Sequence, residues 1–280
     1  GRRTCGLRHR ALPYKEGTRQ MNPVMEVILS RKSGRAYEDR PIAENVRDEI
    51  LRAAMRAPTA GNMMLYSIIQ VRDEAAKETL ARTCDNQPFI AKAPLVLLFL
   101  ADYQRWYDYF ILSGVEQVCQ ERGEPLRKPE EGDLFLACCD ALIAAQTAVL
   151  AAESMGIGSC YIGDIMENYE AHRELFALPR YVFPICLVCF GYPTKQQKER
   201  RLTTRFGKEF IVFEDKYRRL DGREFEEMFR RMQDEMPGGG ARVEGVDNVG
   251  KAIYLRKFSA DFSKEMSRSV RAMLSAWGGG

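Results

Sequence analysis

Apolar positions recur along this chain at two periods, and the switches between them lay out its elements. Over residues 43–57, Val46, Ile50, Leu51, Ala54 and Met55 return every three to four positions. That spacing gathers them on one face of a helix, which Pro58 stops. Residues 22–30 carry Val24, Ile28 and Leu29 at helical spacing, and residues 73–83 read as another helix. Residues 66–72 read as a strand, and residues 94–100 form a continuous apolar run, the mark of a strand buried on both faces. Residues 133–154 predict a long helix that is apolar on nearly every side, so it is either buried all round or part of an oligomer interface. Gly156 and Gly158 end it. Strands are expected again at residues 159–162 and 182–190, with a short one at 210–213.

Beyond Asp215 the chain becomes more charged. Residues 224–236 predict an amphipathic helix with Phe225, Met228, Phe229 and Met232 inward. Pro237 to Gly240 reads as a flexible break. A last helix over residues 258–277 carries Phe258, Phe262, Met266, Val270 and Trp277 as one stripe. Helices and strands mix without an internal repeat, which points to α+β or α/β layers around one sheet.

Composition narrows the function classes. The chain has 280 residues, enough for one large domain or two small ones, and its 45% hydrophobic and 29% charged residues are an ordinary soluble mix. A net charge of +3 gives no reason to expect nucleic acid. Arg2, Arg3, Arg8, His9, Arg10, Lys15 and Arg19 crowd the first 20 residues with no apolar run behind them, so this is no secretory signal. We read residues 1–20 as a disordered basic tail or a vector-derived remnant, with the native chain starting at Met21. No stretch approaches the ~18 apolar residues of a membrane span, and no membrane partner is expected.

Of the eight cysteines, most lie in apolar surroundings, as buried reduced thiols of a cytoplasmic protein do. Cys186 and Cys189 form a CxxC pattern, but inside an expected strand, where positions i and i+3 face opposite ways. With His9 and His172 as its two histidines, the chain has little material for a metal site, and none is assigned.

Three stretches carry candidate chemistry. Arg31-Lys32-Ser33-Gly34-Arg35 offers three cations and a hydroxyl within five residues, the equipment for holding a phosphate. Ala57-Pro58-Thr59-Ala60-Gly61-Asn62 is a broken helix end followed by a small loop that lets backbone approach a flat ligand. Residues 103–110 hold Tyr103, Trp106, Tyr107, Tyr109 and Phe110 at helical spacing, either as core or as a lid of aromatic walls in which Trp106 and Tyr107 are the candidates. Residues 121–132 read as a loop.

Taken in order, these stretches resemble the FMN-dependent nitroreductase family. Its Arg-x-Ser-x-Arg motif matches Arg31, Ser33 and Arg35, with Lys32 between them, and its Ala-Pro-Ser-x-x-Asn loop matches Pro58, Thr59 and Asn62. Gly158-Ser-Cys-Tyr161-Ile162-Gly163-Asp164 resembles the loop that sets a backbone N–H near flavin N5, with Asp164 where the family often has a second glycine. Gln87 matches a glutamine that reaches the flavin. A Gly191-Tyr192-Pro193 turn precedes a basic run in which Arg205, or Arg201, would return a cation to the phosphate. The family's lysine there is Thr203, and its Asn-x-Gln-Pro-Trp run is Asn62-Met63-Met64-Leu65-Tyr66.

The resemblance implies an α+β, three-layer sandwich with a central, mostly antiparallel sheet, dimerising through its long buried helix and binding FMN at the interface. Residues 21–217 would be the FMN-binding domain and residues 218–280 a helical extension packing on the same dimer. The implied activity is hydride transfer from NADH or NADPH to a nitroaromatic, quinone or other small aromatic acceptor by a ping-pong route. Alternatives are a reductive dehalogenase, a flavin-fragmenting relative, or a flavin-binding sensor without turnover.

Overall fold

The computed structural model describes residues 22–235 and 245–278. The expected basic tail, the start at Met21 and the break at residues 237–240 lie outside the described residues. In chain order the elements are α1 (Pro23–Ser30), α2 (Glu44–Ala54), β1 (Tyr66–Gln70), α3 (Glu74–Thr83), α4 (Phe89–Lys92), β2 (Leu95–Asp102), α5 (Gln104–Leu112), α6 (Val115–Arg122), α7 (Glu131–Ser154), β3 (Gly158–Ile162), α8 (Tyr169–Leu175), β4 (Val182–Gly191), α9 (Lys195–Glu199), α10 (Gly222–Asp234), α11 (Val249–Ile253) and α12 (Asp261–Gly278).

The strands form one sheet in the order β1-β2-β4-β3, antiparallel at every pairing. The two apolar runs seen in the sequence are its centre. β2 is buried at all eight positions, and β4 at nine of ten. Alternation then divides the core. Leu97, Phe99, Cys186, Val188 and Phe190 face α2 and α7, while Val96, Leu98, Leu187 and Cys189 face α3, α4 and the turn at Gly163–Met166. Cys186 and Cys189 therefore sit on opposite faces of the sheet, as strand periodicity required. The result is three layers, helix–sheet–helix, as expected.

α7 settles one alternative left open by the sequence. Its Ala137, Ala141, Ala144, Ala145, Ala148 and Ala152 are buried against the sheet, where small side chains allow close approach. The opposite face leaves Phe135 69%, Leu136 50%, Leu142 43% and Ile143 40% exposed. It is not buried all round within one chain. By length and composition α7 is apolar enough to cross a membrane, which corrects the expectation that no stretch comes near a span. The packing accounts for that composition: half of the helix is core.

Local signals set the helix starts. Asp73 caps α3 by accepting from Ala75 N and Ala76 N. Glu130 and Asp133 form a capping box on α7, as do Asp221 and Glu224 on α10. α12 packs back on the chain's own core: Met273 and Trp277 lie among Leu134, Tyr181 and Phe183, and Trp277 Nε1 donates to Glu130 O at 3.1 Å.

Several expectations need correction. Residues 210–213 are no strand; Ile211 N and Val212 N both donate to Lys208 O, a local turn with no partner strand. α6 extends into the expected loop at residues 121–132. α12 begins at Asp261, leaving Phe258 73% exposed outside the stripe, and Phe225 on α10 is exposed rather than inward.

Candidate functional site

After α1 the backbone turns extended at Arg31 (φ −60°, ψ 144°). Ser33 bridges to Ser159 of β3 in parallel register, and Gly34 N donates to Ser159 O at 2.8 Å. The cationic run thus lies along the sheet's β3 edge. Tyr37 fastens its far end, its hydroxyl donating to Gly34 O at 2.7 Å and to Cys189 O at 3.2 Å. This seat explains Gly191: a Cβ there would stand 2.5 Å from Tyr37 Cγ.

The three cations have different fates. Arg31 is the telling one: its Nε and Nη2 are buried without any hydrogen-bond partner. Its nearest counter-charge, Glu153 Oε1, is 4.0 Å away, too far for a hydrogen bond. Burial pushes the Glu153 carboxyl up, opposed by Arg31 and by Ser159 Oγ, which donates to it at 3.2 Å. Arg35 and Ser33 are exposed beside it. Lys32 turns away from this group, as alternation in extended backbone requires. Its Nζ donates to Lys198 O at 2.7 Å and to Arg200 O. Lys32 thereby ties down the 198–200 segment. It lines, with Gly34, Glu153, Gly158 and Gln197, a cavity of about 240 Å³.

The basic segment that reaches the motif is not the expected one. Gln197 Nε2 donates to Ser33 O at 3.3 Å, and its Oε1 accepts from Arg35 N at 3.4 Å and Arg200 Nη1 at 3.3 Å. Arg205 instead donates to Thr203 and Thr204 of its own loop. Among the described residues no hydrogen bond or ion pair joins Arg201 or Arg205 to the Arg31–Arg35 run. Sequence reading missed Gln197 and Arg200, whose only signal was proximity to the Gly191-Tyr192-Pro193 turn.

At the end of β3, Ile162 is buried in the core and Gly163 is exposed; a Cβ on Gly163 would meet nothing within 4 Å. Tyr161 donates its hydroxyl to Gln146 Oε1 at 3.2 Å. Asp164 Oδ2 accepts from Gln87 Nε2 at 2.7 Å, so two candidates 77 residues apart in sequence meet. Gln87 is aimed there by a backbone kink in which Asp85 (φ 54°) and Asn86 (φ 50°) are both left-handed. Directly after the turn, Glu167 is 4% exposed and was not anticipated.

The third candidate loop is pinned by another unanticipated residue. Asp140 on α7 is 2% exposed and accepts from Ala60 N at 2.9 Å, from Leu65 N at 3.0 Å and from Thr59 Oγ1. Thr59 Oγ1 in turn accepts from Met64 N at 2.8 Å. Thr59 is therefore an internal brace. Pro58 and Asn62 stand exposed at the loop's surface, Asn62 in the left-handed region at φ 57°. Trp106 closes over this loop, its Nε1 donating to Met63 O at 2.6 Å. Tyr107 is half-buried and packs edge-on to Tyr181, ring centres 5.3 Å apart, against the cluster around Trp277.

These pieces divide into two groups along α7. The Arg31 group meets α7 at Glu153, and the Asn62 loop meets it at Asp140. Thirteen residues of helix put those points roughly 20 Å apart.

Comparison with known proteins agrees with this geometry. A family model described as the nitroreductase family matches residues 28–192. The oxygen-insensitive NADPH nitroreductase of Salmonella typhimurium is 31% identical over 201 residues, 72% of this chain and 77% of that protein. The FMN reductase [NAD(P)H] of Bacillus subtilis is 32% identical over 180 residues, 64% of this chain and 70% of that protein. Among solved structures, B. megaterium NfrA2 aligns with a TM-score of 0.74 at 26% identity, covering 92% of this chain and 98% of that one. With its cationic strip, its glycine turn and its small-residue loop set on a three-layer sandwich, the chain belongs to the nitroreductase family.

Proposed function

We propose that this chain is an FMN-dependent NAD(P)H oxidoreductase that works as a homodimer. The observation that carries the reading is the Arg31 guanidinium, buried with two unpartnered nitrogens beside exposed Ser33 and Arg35. A buried donor without an acceptor is costly, and a phosphate removes that cost through charge-assisted bonds. Arg31, Ser33 and Arg35 would hold the FMN phosphate. The Gly163–Asp164 backbone, steadied by Gln87, would meet the ring, with no side chain on Gly163 to obstruct it. Bound FMN supplies a two-electron carrier that takes hydride from NADH or NADPH and passes it to an acceptor, nitroaromatic or quinone.

A second copy completes the site. The Asn62 loop lies too far along α7 from the Arg31 group to serve the same cofactor. The apolar face that α7 leaves exposed, with Phe135, Leu136, Leu142 and Ile143, is where that second copy would pack. Pro58 and Asn62 would then meet the partner's flavin, and Trp106 would close the loop from above. Residues 21–217 form the FMN-binding domain, and residues 218–280 are a helical extension that α12 anchors to its own core. The seven described cysteines are all free thiols, which supports a cytoplasmic setting.

Mass spectrometry of the cofactor released from the purified protein, together with NAD(P)H consumption in the presence of a quinone or nitroaromatic, tests the reading. FMN and turnover are expected. FAD, no flavin, or flavin without turnover would refute it.

A further inference from the structure

His172, the one histidine among the described residues, has no part in the site as built so far, yet it lies between the pieces that carry Gly163–Asp164 and Gln87. It belongs to α8 and is 0% exposed. Its Nδ1 is 2.9 Å from Ile165 O, inside the Gly163–Met166 turn. Its Nε2 is 2.7 Å from the hydroxyl of Thr83, the last residue of α3. A backbone carbonyl only accepts, so Nδ1 carries the hydrogen. Nε2 is then an acceptor and takes the Thr83 hydroxyl proton. The rival acceptor of that proton, Thr79 O, is farther off at 3.0 Å and, as a helix carbonyl, has its own amide four residues on. Burial favours the neutral imidazole that this pairing needs. Thr83 is gripped a second time: Asn168, left-handed at φ 50° just ahead of α8, donates Nδ2 to Thr83 O at 2.8 Å. From Thr83 the chain runs through the kink at Asp85 and Asn86 to Gln87, whose amide donates to Cys84 O at 3.0 Å and to Asp164 Oδ2 at 2.7 Å. α8 in turn is fixed to α12. Asn168 N donates to Glu265 Oε1 at 3.2 Å, Tyr169 N donates to fully buried Ser269 Oγ at 3.0 Å, and Arg268 pairs with Glu170. The turn and the end of α3 therefore share one fixed post.

Resting on the function proposed above, we propose that His172 is a positioning residue for the flavin ring: its imidazole, with Nδ1–H toward the turn and Nε2 toward α3, staples the Gly163–Met166 turn to the stretch that ends in Gln87. Those are the two pieces assigned to the ring, and the staple sets their spacing. Among the described residues His172 makes no bond to the Arg31–Arg35 run. Loss of the staple lets Gln87 and the Gly163–Asp164 backbone shift against each other, while the cationic strip, seated on Ser159, keeps its place. His172 therefore acts on the ring end of the cofactor and not on its phosphate end.

The experiment titrates the full chain with FMN and with riboflavin, which lacks the phosphate, following flavin fluorescence, in the wild type, T83V, T83S, H172N and the double variant T83V/H172N. T83V removes the hydroxyl at nearly constant size. H172N keeps an amide donor for Ile165 O but cannot reach Thr83. Each should weaken both flavins about tenfold, the worth of one buried hydrogen bond. The double variant should be no weaker than either single one, and T83S should match the wild type. Arg31→Ala, by contrast, should weaken FMN and leave riboflavin unchanged. Nitrogen NMR of the wild-type imidazole at pH 7 should show the neutral Nδ1–H form. Wild-type affinities in T83V and H172N, with only a lower melting temperature, would make His172 a structural residue and overturn the proposal. So would a loss confined to FMN, strictly additive effects, a T83S as weak as T83V, or an imidazole found protonated or in its Nε2–H form. T83V against T83S decides the matter even if H172N fails to fold. A wild type that binds neither flavin would refute the function itself, and the imidazole spectrum, which needs no flavin, would show separately whether the staple exists.

Discussion

Replacing Asp140 should damage this protein more than replacing any residue of the exposed loop it holds. Its carboxylate is 2% exposed and accepts from Ala60 N, Leu65 N and the Thr59 hydroxyl. In Asp140→Ala both backbone donors lose their acceptor in a site water does not reach. Each such orphan costs about 1–3 kcal/mol, so the pair costs about 2–6 kcal/mol. Removing a buried charge returns part of this, and a net loss of about 3 kcal/mol is expected. Asp140→Asn keeps one oxygen, enough for Leu65 N and Thr59, but turns an amide N–H toward Ala60 N; about 1–2 kcal/mol should be lost. Urea denaturation followed by circular dichroism reads both as shifts of the midpoint at constant slope. The Thr59→Val change removes the other half of the brace, and the double variant should be less damaged than the sum by about 1 kcal/mol or more. An Asp140→Ala protein within about 0.5 kcal/mol of wild type, or a strictly additive cycle, would mean the loop is held by something else.

Three further outcomes follow from the site. Arg31→Ala should weaken FMN binding by about 1.5–3 kcal/mol, roughly tenfold to a hundredfold, in a fluorescence titration, whereas Lys32→Ala, whose ammonium is spent on two carbonyls, should change it far less; equal effects would contradict the division between them. Phe135→Glu with Ile143→Glu should convert a dimer to monomers in light scattering and strip its flavin, and a wild-type protein that is monomeric with FMN bound would contradict the two-copy site. The Glu167 carboxyl is raised from 4.5 to about 8, so between those values the folded chain keeps a proton the unfolded chain releases. Stability should therefore fall as pH rises through that window, seen as a declining melting temperature that E167Q levels out.

Much of the fold was legible because the central elements obey simple periodicities. A continuous apolar run has one good home in a layered domain, the middle of the sheet, and β2 and β4 are there. α7 was harder. Counting apolar residues gives a helix with no polar face, and that count also makes it look fit for a membrane. What the count hides is sorting by size: alanines at 137, 141, 144, 145, 148 and 152 against Phe135, Leu136, Leu142 and Ile143. The small face packs on the sheet and the large face is left for another surface. Residues 210–213 misled for the opposite reason. Phe-Ile-Val-Phe has strand propensity, but a strand needs an edge to join, and the backbone bonds there close within four residues. α8 has too few apolar positions to show a period at all.

The candidate site was legible as three stretches of sequence and illegible as a structure. Arg31, Ser33 and Arg35 stand together because extended backbone returns alternate residues to one side, a rule that equally sends Lys32 elsewhere. The motif's spacing contained that separation from the start. What no spacing contains is the support beneath each stretch. Gln197 steadies the cationic strip from 162 positions away, Asp140 holds the Asn62 loop from 75 to 81 away, and Gln87 meets Asp164 across 77. Each support is a polar side chain that is buried or half-buried at an apolar or unremarkable position in the sequence. Such a residue looks like an error in the hydrophobic pattern until its partners are known. A single carboxylate in the middle of α7 breaks the local pattern at a cost that only a structural partner offsets. In this chain those breaks mark the residues that hold the site in place, and the exposed residues of the motifs are what they hold.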